Sequence, residues 1–194
     1  MIAVVDTGGA NLASVLNALA RLGETGEVTA DPARVRAAER VILPGVGAAP
    51  EAAARLKGAL GDAVRGLTAP VLGICLGMQL FFEDSEEGPA RGLGLLPGTV
   101  KRLAPAGLAV PHMGWNSIRR TGGENALLDG VPDGTHFYFV HSYAAPTGPW
   151  VEAACDYGGP VPAVIMKDNY HGVQFHPERS GPAGARVLKN FLAL

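Results

Sequence analysis

The sequence predicts an α/β fold with a mostly parallel central sheet, flanked by helices and carrying antiparallel additions in its second half. Three observations lead there. The first half alternates short apolar runs with helical patterns, the signature of parallel strands joined by crossover helices. The second half turns to short strand-like runs separated by Gly, Pro, Asn and Asp. Composition is continuous across the middle, with no linker, so a single domain over residues 1–194 is expected.

Ile2–Val5 is a short apolar strand that meets Asp6 at once. Asn11–Leu22 reads as an amphipathic helix and Gly26–Thr29 as a weak second strand. Pro32 suits the first turn of a short helix. Arg40–Leu43 is a third strand, Pro50–Arg65 an alanine-rich helix, and Val71–Ile74 a buried strand. Met78–Phe82 reads as the opening turns of the next helix. Thr99–Leu103, Trp115–Arg119, His136–Val140, Val151–Asp156, Ala163–Lys167 and Gly172–Phe175 are the strand candidates of the second half, and Arg186–Leu194 closes as a helix. In such sheets sites gather beyond the carboxyl ends of the strands. Asp6-Thr7-Gly8-Gly9, Pro44-Gly45-Val46-Gly47 and Cys75 all fall at that edge.

Composition narrows the class of function. The chain has 194 residues, 47% hydrophobic and 6% aromatic, with a net charge of −2. No run of Lys or Arg suggests a nucleic-acid or membrane-surface partner. No apolar stretch approaches the ~18 residues of a membrane span, and Met1–Asp6 lacks the character of a signal peptide. Cys75 and Cys155 have no disulfide or metal spacing, and the five histidines show no ligand motif. A cytoplasmic protein with reduced thiols, no metal and no cofactor is expected.

Three segments carry candidate chemistry. Gly73-Ile74-Cys75-Leu76-Gly77 joins an apolar strand to a helix start. It is the thiol counterpart of the G-x-S-x-G nucleophile elbow, whose sharp bend projects the central side chain. Glycines on either side give the bend room and spare it a Cβ at unusual backbone angles. The free N–H groups of a helix start favour a thiolate there, although most free cysteines are simply small buried side chains. His176-Pro177-Glu178 follows another apolar strand end. A thiol nucleophile needs a base, and residues two apart on an extended chain share a side, so Glu178 can orient His176. A capped turn with a solvated Glu is the plainer alternative. Pro44-Gly45-Val46-Gly47 offers backbone N–H groups near a helix start, as an oxyanion site requires, or is an ordinary strand-to-helix loop. Leu76, directly after the thiol, supplies the other N–H.

Together these segments resemble the triad-type (class I) glutamine amidotransferases, whose pattern is an oxyanion glycine loop, G-x-C-x-G-x-Q and a late H-P-E. The matching residues are Gly73-Ile74-Cys75-Leu76-Gly77-Met78-Gln79 and Gln174-Phe175-His176-Pro177-Glu178. Pro111-His112-Met113-Gly114-Trp115-Asn116, Phe139-Val140-His141-Ser142-Tyr143 and His176-Pro177-Glu178-Arg179-Ser180 narrow the resemblance to the glutaminase subunits of imidazole glycerol phosphate synthases. The resemblance spans essentially the whole chain.

It implies the class I glutamine amidotransferase fold and hydrolysis of glutamine, with the ammonia passed to a cyclase subunit in a heterodimer. Cys75, His176 and Glu178 are the implied catalytic residues, and Val46, Gly47 and Leu76 the oxyanion site. Gln79, Glu87, His141, Ser142 and Tyr143 are expected around the glutamine, with Glu83, Asp84 and Glu86 as competing acids. His112, Trp115, Asn116 and Arg179 are expected to meet the cyclase, though a Trp beside polar groups also suits a core anchor. The chain departs from the subfamily pattern at Thr7, normally aromatic, and at Ala10, normally Gly. The competing readings are a glutaminase serving a synthase of anthranilate, guanylate or pyridoxal phosphate, and a catalytically silent binding protein.

Overall fold

The computed structural model describes residues 1–8, 12–45 and 47–194. The chain opens with β1 (Ile2–Val5), α1 (Leu12–Arg21), β2 (Gly26–Thr29), α2 (Pro32–Arg36) and β3 (Arg40–Leu43). Next come α3 (Ala49–Arg55), α4 (Ala59–Arg65), β4 (Val71–Ile74) and the one-turn helix α5 (Leu76–Gln79). Short strands β5 (Phe82–Ser85) and β6 (Ala90–Arg91) precede β7 (Leu96–Arg102) and β8 (His112–Arg120). The rest comprises β9 (His136–His141), β10 (Tyr143–Ala144), β11 (Val151–Asp156), β12 (Pro160–Lys167), β13 (Tyr170–Val173) and α6 (Gly181–Ala193).

Nine strands form the main sheet in the order β2-β1-β3-β4-β13-β12-β11-β8-β9. The first five run parallel and the remaining pairings are antiparallel. The late strand β13 does not extend the antiparallel part outward. It returns to lie parallel beside β4, with Val173 opposite Ile74. That pairing puts the residues after each strand, Cys75 and Gln174, at the same level of the same edge.

Alternation along the parallel strands sorts side chains onto two faces. Ala3, Val5, Val41, Leu43 and Val71 join one core with Val35, Ala52 and Val64 of α2, α3 and α4. Ile2, Val4, Ile42, Leu72 and Ile74 join the other with Leu19 of α1 and Phe191 of α6. All six phenylalanines are buried. Among the described residues no helix is long and apolar enough to cross a membrane.

Four expectations need correction. The alanine-rich stretch 50–65 is two helices, broken where Gly58 takes a φ of 69°. The helix after Cys75 ends at Gln79, and Phe82 already begins a strand. The closing helix starts at Gly181 rather than Arg186. The segment 99–103 joins no strand of the main sheet: β7 belongs to a separate sheet, ordered β10-β7-β5-β6. That small sheet lies over the first core through Phe82, Leu96 and Val100, and it brings Glu87 and Tyr143 toward the edge where Cys75 sits.

Candidate active site

Cys75 caps α5 with φ 52° and ψ −109°, a backbone state that L residues rarely adopt. The strain falls on the cysteine itself, because neither Gly73 nor Gly77 has a positive φ. Those glycines serve close approach instead. A Cβ on Gly73 would come within 2.7 Å of Met78 N, and one on Gly77 would strike the carbonyl oxygen of Leu43. Gly45 is equally confined, since its Cβ would meet the backbone of Gly77 and Leu76. Glycine loop and elbow are therefore pressed together, backbone against backbone. Gly47 differs: its φ is 110° and, among the described residues, nothing lies within 4 Å of its Cβ position. Val46 lies outside the described residues, as does Ala10. Thr7 is buried and donates its hydroxyl to Pro44 O at 3.2 Å, tying that departure from the subfamily pattern to the start of the glycine loop.

His176 reaches the same edge from the end of β13. Its Nδ1 lies 2.9 Å from Glu178 Oε1, leaving Nε2 for the cavity side. The two residues are joined through the 3-10 turn Pro177–Arg179, not by the extended chain that the spacing suggests. Burial opposes the charged imidazole, but the Cys75 and Glu178 side chains outweigh it and raise the pKa to about 10. The backbone of His176 is bound on both sides: its N–H to Tyr138 O at 2.9 Å, its carbonyl to Ser180 Oγ at 2.7 Å.

A cavity of about 520 Å³ brings together most of the predicted residues. Gly47, Cys75, Leu76, Gln79, Glu87, His141, Ser142, Tyr143, His176 and Arg179 line it, with Gly45, Pro111 and Val140. Glu178 stands behind His176 rather than in the lining. Of the four acids in 83–87, Glu87 alone faces the cavity. Its Oε2 accepts from Ala49 N at 3.0 Å, fastening the start of α3. Glu83 and Glu86 are turned to the backbone N–H groups of Gly98 and Arg102, and Asp84 to Arg91.

Behind the cavity wall runs a directional chain of hydrogen bonds. Tyr143 O can only accept, so His141 Nδ1 carries the hydrogen that meets it at 2.8 Å. His141 Nε2 is then an acceptor, and His112 Nδ1 donates to it at 3.0 Å. Asn116 Nδ2 lies 3.4 Å from the remaining His112 nitrogen and also donates to Asp156 O at 2.8 Å. Both imidazoles are held neutral. Burial is the main cause for His141, lowered to about 4, and for His112, also lowered.

The residues expected at the partner surface are placed differently from one another. Alternation along β8 turns His112 inward, 3% exposed and stacked between Tyr157 and Phe139, while Met113 and Trp115 stand outward at 63% and 58%. Arg179 is exposed at the cavity rim.

One site residue is missing from the expectations drawn from sequence. Gln174 is fully buried, accepts from Gln79 Nε2 at 2.9 Å, and donates to Cys75 Sγ at 3.5 Å. A signal for it exists: an amide in an otherwise apolar strand end needs partners.

The family model for class-I glutamine amidotransferases matches residues 3–194. An imidazole glycerol phosphate synthase subunit HisH from Xanthomonas euvesicatoria pv. vesicatoria is 54% identical over 195 residues, covering all of this chain and 97% of that protein. The HisH subunit of Escherichia coli K12 is 49% identical over 195 residues, covering all of this chain and 99% of that protein. Among solved structures, a glutamine amidotransferase superposes with a TM-score of 0.75 at 19% identity, over 99% of this chain and 97% of that one. PurLQS from Thermotoga maritima gives 0.77 at 18%, over 99% and 97%. The structural likenesses speak for the fold, and the identities speak for descent: the chain belongs to the class-I glutamine amidotransferases, and within them to the HisH subunits of imidazole glycerol phosphate synthase.

Proposed function

We propose that this chain hydrolyses L-glutamine to glutamate and ammonia at Cys75 and delivers the ammonia to the cyclase subunit of imidazole glycerol phosphate synthase, as its one-to-one partner in cytoplasmic histidine biosynthesis. The observation that carries the reading is the meeting of two distant segments, the elbow at Cys75 and the turn that carries His176 and Glu178. A cysteine on a strained elbow lines the same cavity as His176, and the imidazole's far nitrogen is held 2.9 Å from Glu178.

Chemistry follows from that arrangement. The proton shared by Cys75 and His176 rests on His176 Nε2, whose pKa the Cys75 and Glu178 side chains raise to about 10, and an electron pair of the sulfur forms a bond to the side-chain amide carbon of glutamine. The charge that builds on the amide oxygen is met by backbone N–H groups. Leu76 supplies one, at the first turn of α5 where no intrahelical acceptor exists, and the Val46-Gly47 loop supplies the other. His176 then protonates the departing nitrogen, ammonia leaves, and a γ-glutamyl thioester remains. Water, losing a proton to the same imidazole, attacks the thioester carbon and releases glutamate and the thiol. Glu178 keeps the imidazole oriented and its charge balanced throughout.

Substrate recognition uses what the network leaves free. Both Nε2 hydrogens of Gln79 are engaged, by Tyr143 O at 2.8 Å and Gln174 Oε1, which leaves its Oε1, an acceptor, for a ligand in the cavity that Gln79 lines. With the Glu87 carboxylate it suits an α-ammonium group. His141, Ser142 and Tyr143 bound the cavity opposite. The outward Met113 and Trp115 form an apolar surface of the kind that anchors a partner.

The test is glutamate release from glutamine by the chain alone and with the purified cyclase. Release is expected with the cyclase present and to vanish in Cys75→Ala, while added ammonium still drives the synthase reaction of that variant complex. Full glutaminase activity in Cys75→Ala overturns the mechanism. Failure of ammonium to rescue an assembled complex overturns the supply role.

A further inference from the structure

We propose that Gln174 is a catalytic residue: its side-chain N–H stabilises the Cys75 sulfur as an anion, and Gln79 acts behind it as the positioning residue that fixes the direction of the amide. The proposal rests on the glutaminase reading of the cavity and assigns a role in it to a side chain that substrate never needs to touch.

The direction of the amide follows from one group that has no choice. Tyr143 O is an acceptor only, and Gln79 Nε2 lies 2.8 Å from it. The Gln79 amide is thereby oriented, and the second hydrogen on the same nitrogen points to Gln174, 2.9 Å away. The atom it meets must be an acceptor, so it is Oε1. The other end of the Gln174 amide is then the donor, and it is this end that lies 3.5 Å from Cys75 Sγ. His141 bonds to the same Tyr143 carbonyl at 2.8 Å, which holds the anchor itself in place.

Backbone pairing fixes the donor as firmly as the amide chain does. Cys75 N bonds to Val173 O at 2.7 Å, and Gln174 N bonds to Ala163 O at 2.9 Å. The glutamine therefore leaves β13 directly beside the elbow. It is fully buried, so no water stands ready to replace a lost N–H.

The sulfur changes its needs during the reaction. As a thiol it donates to Val140 O at 3.7 Å. Once the proton is on His176, sulfur can only accept, and the Val140 carbonyl becomes an unfavourable neighbour. Gln174 Nε2 then supplies a hydrogen bond to the anion. In the thioester the sulfur is neutral and the bond weakens. It strengthens again when the C–S bond breaks and the electron pair returns to sulfur. The donor thus favours sulfur both as nucleophile and as leaving group.

The experiment is alkylation of Cys75 by iodoacetamide in the isolated full-length chain, followed across pH by mass spectrometry of the Cys75 peptide so that buried Cys155 does not interfere. Gln174→Met removes the donor at similar volume. Gln174→Glu keeps an acceptor for Gln79 and turns a carboxylate oxygen toward the sulfur, so it serves if the methionine variant folds poorly. The alkylation midpoint is expected to move up by about one pH unit in Gln174→Met, further in Gln174→Glu, and by less in Gln79→Met, as suits one hydrogen bond to a charged group. With the cyclase present, kcat for glutamine should fall about tenfold in Gln174→Met while KM stays within about twofold. An unshifted midpoint in both folded Gln174 variants overturns the proposal even if glutaminase activity falls. Absence of glutaminase activity in the unaltered complex overturns the functional reading instead, whatever the alkylation profile does.

Discussion

His176 owes its position to backbone contacts as much as to its carboxylate partner. Ser180 is 2% exposed; its hydroxyl donates to His176 O at 2.7 Å and accepts from Tyr138 N at 3.0 Å. One side chain thus pins the turn that carries Glu178 to the neighbouring strand β9. Replacing it with Ala removes the acceptor of a part-buried N–H and leaves the His176 carbonyl with Arg179 N, 3.0 Å away, as its remaining donor, at a cost of roughly 1–3 kcal/mol. Ser180→Ala should lower the urea midpoint accordingly and reduce kcat in the complex, with KM nearly unchanged, because it touches no part of the glutamine. A KM increase with kcat intact would assign Ser180 to binding instead. At this scale the sequence is readable where chemistry and motif coincide. Cys75, His176 and Gln79 carry the reactive types at diagnostic spacing. Gln174 lies inside the same motif but acts through a tertiary contact with residue 75, which no local pattern encodes. His112 is deceptive because a polar ring beside Trp115 looks like surface until the strand's alternation turns it inward.

The elbow works because three glycines let two loops and a strand share space that side chains would fill. Gly77 is the tightest: any Cβ there strikes the carbonyl of Leu43 at the end of β3, a backbone atom that cannot rotate away. Gly77→Ala must therefore push α5 from β3, and overpacking of this kind costs about 1–3 kcal/mol. In a chain of this length that is a fall in Tm of roughly 2–12 °C, with loss of glutaminase activity because Cys75 moves with the elbow. Gly123→Ala is the control. Among the described residues nothing lies within 4 Å of its Cβ position and its φ is ordinary, so Tm and activity should hold. Equal effects at both positions would mean that flexibility, not close approach, is what Gly77 provides. β1, β3 and β4 are legible in sequence because each is a short, mainly apolar run buried on both faces, whereas β2, Gly-Glu-Val-Thr and only partly buried, reads weakly. The small sheet is not legible. β5 reads Phe-Glu-Asp-Ser and β6 and β10 have two residues each, so neither alternation nor length separates them from turns. The return of β13 to the side of β4 is likewise a matter of topology, invisible in the strand's own residues.

For the molecule as a whole, buried histidines tie the site to stability. His141, held neutral mainly by burial, titrates at about 4, and burial also lowers His112 and His171. The unfolded chain protonates these groups near pH 6.5. Between about pH 6.5 and 5 it therefore binds more protons than the folded state, and stability must fall as pH drops. His176 has the opposite sign: raised to about 10, it adds stability that is fully present below 6.5 and is lost as pH climbs through 10. In the acid window it is protonated in both states and adds no slope. Ordinary carboxylates titrate below about pH 5, so the slope isolates the three neutral imidazoles. Each contributes at most roughly 1.4 kcal/mol per pH unit, and His141, titrating at about 4, sustains its share through the whole window. Urea unfolding at several pH values from about 5 to 6.5 should show stability rising with pH, and His141→Gln should flatten that rise by up to one such increment. An unchanged slope in the variant would mean that His141 takes up its proton without unfolding. The hydrogen-bond chain from Tyr143 O to His112 would then have to tolerate an imidazolium, which its fixed donor order does not allow.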